Sequence, residues 1–205
     1  MAVAPPSPDL PADAVRIAVA DDLGRPRLTV LFRSLLALPH LVWLGLWTIP
    51  ALLALPAAWA GALVTGVVPE PLHRFLGAYV RYATHVSAYV LLVGRRFPGF
   101  LGRAGSYGID LELGPRRRQS RWTTLLRGPL AVPAFLLAIV VGVVAMLVAI
   151  LAWSWGLVRG RIPEGVRTLG VLGLRYTAHT YAYLFLLTSR YPHLTPPEPT
   201  EEETP

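Results

Sequence analysis

The sequence has no cysteine, which excludes a disulfide framework and any thiolate metal site. It has no lysine either: all 19 basic residues are arginine. Charged residues of both signs make up only 15 % of it, against about a quarter in a typical soluble domain. A nucleophile elbow, a Walker loop, a glycine-rich dinucleotide fingerprint and paired acidic motifs are all missing, so no enzyme is expected. The first 22 residues hold no apolar run and carry Asp9, Asp13, Asp21 and Asp22. They do not read as a secretory signal, and the first membrane helix is expected to direct its own insertion.

What is present is apolar surface, at 54 % of residues, and a net charge of +7. Ser34–Thr65 is 32 residues long without a charge, and Gly128–Val158 is 31. At 1.5 Å per residue the first run would be about 48 Å of helix, too long for one straight span of a hydrocarbon core of about 30 Å. The expectation is an interfacial helix over Leu28–Leu38, a break at Pro39, and a span over Leu41–Val64 kinked at Pro50 and Pro56. The arginines flank apolar runs and form no compact patch, which favours loops beside anionic lipid over nucleic acid as partner.

The chain repeats itself. Laying Arg27–Pro98 over Arg121–Pro192 at an offset of 94 gives 24 identities in 72 positions without a gap. Arg33/Arg127, Pro39/Pro133, Trp59/Trp153, Gly66/Gly160, Pro69/Pro163 and Glu70/Glu164 coincide. Each glutamate follows a proline at an expected helix start, where the helix dipole favours a carboxylate. The same offset lays Val15, Ile17 and Val19 on Ile109, Leu111 and Leu113. Both segments alternate as strands do, and each is too short to stand alone. They are predicted to pair antiparallel across a pseudo-two-fold axis, with Arg16 among the acidic Asp110 and Glu112. Repeats that each return to their starting side place the axis along the membrane normal.

The domain plan is therefore a disordered tail over 1–14, repeat 1 over 15–100, a linker over 101–108, repeat 2 over 109–194, and an acidic disordered tail over 195–205. The fold expected is an all-α membrane protein: four transmembrane helices from two tandem two-helix repeats, with a small two-stranded extramembranous β element. If all four helices span, 13 arginines share a side with the termini and the linker, and Arg74, Arg159, Arg161 and Arg167 lie opposite. That bias predicts a multi-pass protein of the cell membrane with both termini cytoplasmic. The alternative lays the second helix of each repeat flat in the interface, leaving two spans.

Those second helices carry the candidate site. R-Y-x-x-H-x-x-A-Y occurs at Arg81–Tyr89 and again at Arg175–Tyr183. Residues four apart share a helix face, so Arg81, His85 and Tyr89 form one polar stripe and Arg175, His179 and Tyr183 its twin. Two arginines brought together by the axis would repel unless an anion lay between them, such as a lipid headgroup. The competing reading has each guanidinium snorkelling to headgroups or bonding carbonyls and tyrosine hydroxyls. No cofactor is expected. Two histidines related by an internal two-fold could ligate a haem iron, yet nothing in the sequence supplies further metal ligands.

Arg27–His40, Gly66-Val67-Val68-Pro69-Glu70, Tyr89-Val90-Leu91-Leu92 and Phe97-Pro98 together resemble an uncharacterised bacterial membrane domain, domain of unknown function 4389. Gly160–Glu164, Tyr183–Leu186 and Tyr191-Pro192 repeat the pattern, with Ala134 in place of His40. The resemblance covers nearly the whole chain. It implies a membrane protein and supplies no activity. The function expected is that of a structural or accessory subunit of a membrane complex, with other membrane proteins as partners. The alternative is binding or transport of an anionic lipid or small anion between the repeats.

Overall fold

The computed structural model describes residues 15–19 and 27–193. The two tails and the turn expected over 21–26 lie outside the described residues. The chain runs β1 (Val15–Val19), α1 (Arg27–Thr65), α2 (Glu70–Val90), β2 (Ile109–Leu113), α3 (Arg121–Leu125), α4 (Arg127–Arg159) and α5 (Glu164–Leu184).

Each repeat is a helical hairpin closed by the same devices. Gly66 and Gly160 end the long helices at φ +77° and +70°, a left-handed turn that glycine takes without steric cost. Pro69 and Pro163 cap the next helix, and Glu70 and Glu164 lie in its first turn, as expected from the dipole. Leu92 and Leu186 close those helices at φ 58° and 59°. A leucine in this region is strained. Both side chains are buried, and that burial offsets the strain.

The break expected at Pro39 is absent: α1 is one helix with Pro39, Pro50 and Pro56 inside it. A proline inside a helix costs one backbone hydrogen bond, and the rest of the α1 ladder carries the helix through all three. In the second copy the break falls earlier, at Leu126, between α3 and α4.

The strands pair antiparallel, with Val15 opposite Leu113, Ile17 opposite Leu111 and Arg16 opposite Glu112. Ile17 faces its own repeat equivalent, so the pseudo-two-fold axis passes through that pair, perpendicular to the sheet. The same axis orders the helices. Trp59 Nε1 donates to the Thr124 carbonyl at 2.9 Å, and Trp153 Nε1 donates to the Val30 carbonyl at 2.9 Å. Trp153 is the equivalent of Trp59, and Thr124 of Val30. These reciprocal bonds set the start of α1 against the end of α4, and α3, which leads into α4, against the end of α1, so the two long helices run antiparallel. α2 and α5 do likewise: Tyr79 lies on Phe185, with ring centroids 5.3 Å apart, and a Cβ on Gly170 would sit 2.8 Å from Val93 Cγ2.

Three layers follow along the axis. The strand pair lies on α2 and α5, which in turn lie on α1 and α4. On α2, Tyr79, Tyr82 and Tyr89 meet Thr48, His40 and Arg33 of α1, while Arg81 and His85, about 100° round the helix, meet β2. The main core lies between these layers, around Leu76, Val80, Leu111, Leu174 and Ala182.

α1 and α4 are the two helices long and apolar enough to cross a membrane among the described residues, against four expected. α2 and α5, at 21 residues each, turn Arg81, His85 and His179 to the sheet. The inward faces of α1 and α4 are narrow lines of small residues, Ala37, Ala51, Ala58 and Ala62 on one and Ala131, Ala134, Ala145, Ala149 and Ala152 on the other. The rest of their circumference is exposed leucine, valine and isoleucine.

Candidate functional site

The two stripes converge on the strand pair and do not face each other directly. In the first half, His85 is wholly buried and its Nε2 donates to Asp110 Oδ1 at 2.8 Å. Arg81 Nε donates to the Leu111 carbonyl at 2.9 Å and lies 3.5 Å from Asp110 Oδ1. The backbone N–H of Gly105 donates to Asp110 Oδ2, and that of Leu111 to Oδ1 at 2.8 Å. One carboxylate thus ties the stripe to β2 and to the loop before it. Burial alone would push the Asp110 carboxyl up; the His85 and Gly105 hydrogen bonds and the attraction of His85 and Arg81 outweigh it and hold it below the usual 3.8.

The second half is built differently. His179 Nε2 donates to the Val15 carbonyl at 2.8 Å. The strand position equivalent to Asp110 is Arg16. Arg175 is half-buried, and no hydrogen bond or ion pair of it is recorded among the described residues. Burial, and after it the charge of Arg16, lowers the pKa of Arg175. Burial also lowers that of His179; the Val15 carbonyl opposes this, and His193, Arg175 and Arg190 add to it. The His193 ring stands edge-on to His179 at 5.6 Å. Five basic side chains therefore gather here, with Glu112 across the strand from Arg16.

Tyr89 and Tyr183 belong to neither cluster. Each lies under a second arginine, Arg33 or Arg127, that the sequence analysis counted among the 13 on the side of the termini and the linker. Arg33 is 2 % exposed and Arg127 3 %. The Arg33 guanidinium sits 4.1 Å from the Tyr89 ring centroid and donates to the carbonyls of Tyr89, at 2.7 Å, and Gly94. Arg127 sits 4.5 Å from the Tyr183 ring and donates to the carbonyls of Tyr183 at 2.8 Å and Thr188 at 2.9 Å. These are the last carbonyls of α2 and α5 and the turns after them, where the helix dipole favours a cation. The signal was available in the Arg33/Arg127 match; its burial was not.

The two histidines are not presented to a common metal, since each Nε2 is engaged by a different strand. Among the described residues no group of three or more histidine, aspartate or glutamate side chains is placed to hold a metal ion.

The family model for a Domain of unknown function (DUF4389) matches twice, over residues 27–101 and 121–195. The chain belongs to this family. The two matches coincide with the two helical hairpins, so the DUF4389 unit is one hairpin with its closing turns, and the chain holds two in tandem. No curated protein and no solved structure matches the chain.

Proposed function

We propose that this DUF4389 protein is a monotopic membrane protein, immersed in one leaflet through the α1–α4 layer, and that it serves as a structural or accessory subunit at the membrane surface. Only 11 % of the apolar window of α1 and 22 % of that of α4 lie inside the molecule, whereas the core helix of a soluble protein is mostly buried. Apolar surface on this scale calls for lipid or a partner.

The observation that carries the flat orientation is the path of the linker. It leaves α2 beside Arg33, at the start of α1. It passes the middle of α2 as β2. It then reaches Gly66, at the end of α1, where the Gln119 N–H donates to the Gly66 carbonyl at 2.8 Å. Were the helices to span, residues 95–119 would cross the bilayer beside them. Arg16, Asp110 and Glu112 would lie at mid-depth on an open two-stranded sheet, which lipid does not tolerate. Laid flat, the same molecule puts its charged sheet layer towards water and its apolar layer in the acyl chains. The helix of about 58 Å that 39 residues form also ceases to exceed the bilayer thickness. The pseudo-two-fold axis then stands along the membrane normal. The arginine surplus favours the cytoplasmic leaflet, with its anionic lipids.

The absence of native cysteine allows a direct test. Thr65, the last residue of α1, and Arg96, two residues beyond the Gly94 carbonyl that Arg33 holds near the start of α1, are both exposed. Single cysteines at these positions should both be labelled by an impermeant maleimide in inverted membrane vesicles and both be protected in intact cells. Labelling of one from each side would restore spanning helices.

A further inference from the structure

We propose that the second half of the molecule binds a phosphate group between Arg175 and Arg16, beside His179, on the side of the strand pair that answers to Asp110 in the first half. The repeat supplies the template. Arg81 and His85 are held by an oxyanion, with Asp110 Oδ1 2.8 Å from His85 Nε2 and 3.5 Å from Arg81 Nε. The pseudo-two-fold turns these residues into Arg175 and His179, and turns Asp110 into Arg16. The two basic residues are kept, with His179 Nε2 donating to the Val15 carbonyl at 2.8 Å, and the carboxylate is replaced by a third basic residue.

Like charges so placed repel, and the cost is relieved by an external anion. Positive neighbours act on both groups, Arg16 on Arg175, and His193, Arg175 and Arg190 on His179, while Glu112 lies across the strand pair from Arg16. The place is reachable, since Arg16, Arg190 and His193 are exposed and Arg175 and His179 only half-buried. The guanidinium groups of Arg16, Arg175 and Arg190 suit the charge and the three acceptor oxygens of a phosphate better than the single charge of a carboxylate. The site lies on the sheet layer, so the inference stands whether or not the α1–α4 layer is immersed in lipid. The phosphate can be that of a soluble molecule or of a lipid headgroup.

The test has two arms, each on the full chain. In the first, detergent-purified protein is melted with inorganic phosphate or with chloride at equal ionic strength. In the second, binding to phosphatidylcholine vesicles is measured with and without phosphatidic acid. Three variants accompany the wild type. Arg175→Gln removes one charge-assisted contact and should weaken binding about tenfold or more. Arg16→Asp with Glu112→Gln rebuilds the internal carboxylate of the first half without setting two carboxylates across the strands. It should abolish the response while melting no lower than wild type in chloride. Arg81→Gln should lower the melting midpoint in both salts and leave the phosphate response intact. A response in the first arm that the Arg16→Asp variant loses assigns the site to soluble phosphate. The same pattern in the vesicle arm alone assigns it to a headgroup. No response in either arm, or a response the Arg16→Asp variant retains, overturns the proposal.

Discussion

Arg33 and Arg127 hold carbonyls at two helix ends, and the bonds are charge-assisted. Removing such a group leaves buried oxygens unsatisfied, at a cost of about 1–3 kcal/mol each. Arg127→Leu keeps apolar bulk and takes away the donors to Tyr183 and Thr188. It should lower unfolding free energy by roughly 3 kcal/mol, read by denaturant titration in detergent. Arg175→Gln, in the half-buried cluster, should cost far less in the same titration. Asp110 adds a pH dependence. Its carboxyl is depressed in the folded protein, so the stability it contributes is present above the unfolded value, about 3.9, and is lost as pH falls through the folded one. Melting midpoints should therefore drop below about pH 4, and Asp110→Asn should flatten that limb. The stripe at Arg81 and His85 was legible in the sequence, because four-residue spacing alone defines a helix face. Its partner was not, because Asp110 reaches His85 from 25 residues away and nothing local to either residue records the contact.

At the scale of elements, the long helices approach their neighbours along lines of alanine, which lets the backbones come close. Ala58 is fully buried on α1, and Ala57 beside it is exposed. Ala58→Leu should cost about 1–3 kcal/mol by overpacking, and Ala57→Leu close to nothing. Equal loss in both, measured by thermal unfolding, would mean that α1 is packed on more sides than this. The strand pair and its antiparallel sense were readable in advance, because alternation, the 94-residue offset and opposite charges all agreed. Two other features were not. Pro39 reads as a break locally, yet the helix runs through it. The antiparallel setting of α1 and α4 rests on Trp153 meeting Val30, 123 residues apart, and no periodicity carries such a pairing. Counting arginines presupposed that both hairpins span; without that setting, nothing in the charge pattern could reveal a linker running the length of the bundle.

At the scale of the whole molecule, each half completes the other. β1 opens the first repeat and receives His179 of the second; β2 opens the second and receives His85 of the first. The tryptophan bonds are exchanged in the same way. A single hairpin therefore lacks a strand partner, a histidine partner and a cover for its end. Two copies of one repeat could restore them, and the two repeats differ in how well. In a pair of second repeats, Leu111 meets Leu111, Trp153 meets the Thr124 carbonyl, and Arg175 and His179 of each copy find Asp110 of the other. In a pair of first repeats, the same position brings Arg16 to Arg81 and His85 in both halves, and no carboxylate answers it. Residues 109–193 expressed alone should form a homodimer in detergent, and residues 15–101 should remain aggregated or be degraded unless the second repeat is supplied. Arg16→Asp should rescue the first repeat as a dimer. Sedimentation or cross-linking of the two fragments checks this, and a stable dimer of the unaltered first repeat would show that the carboxylate at the axis is not what holds the halves together.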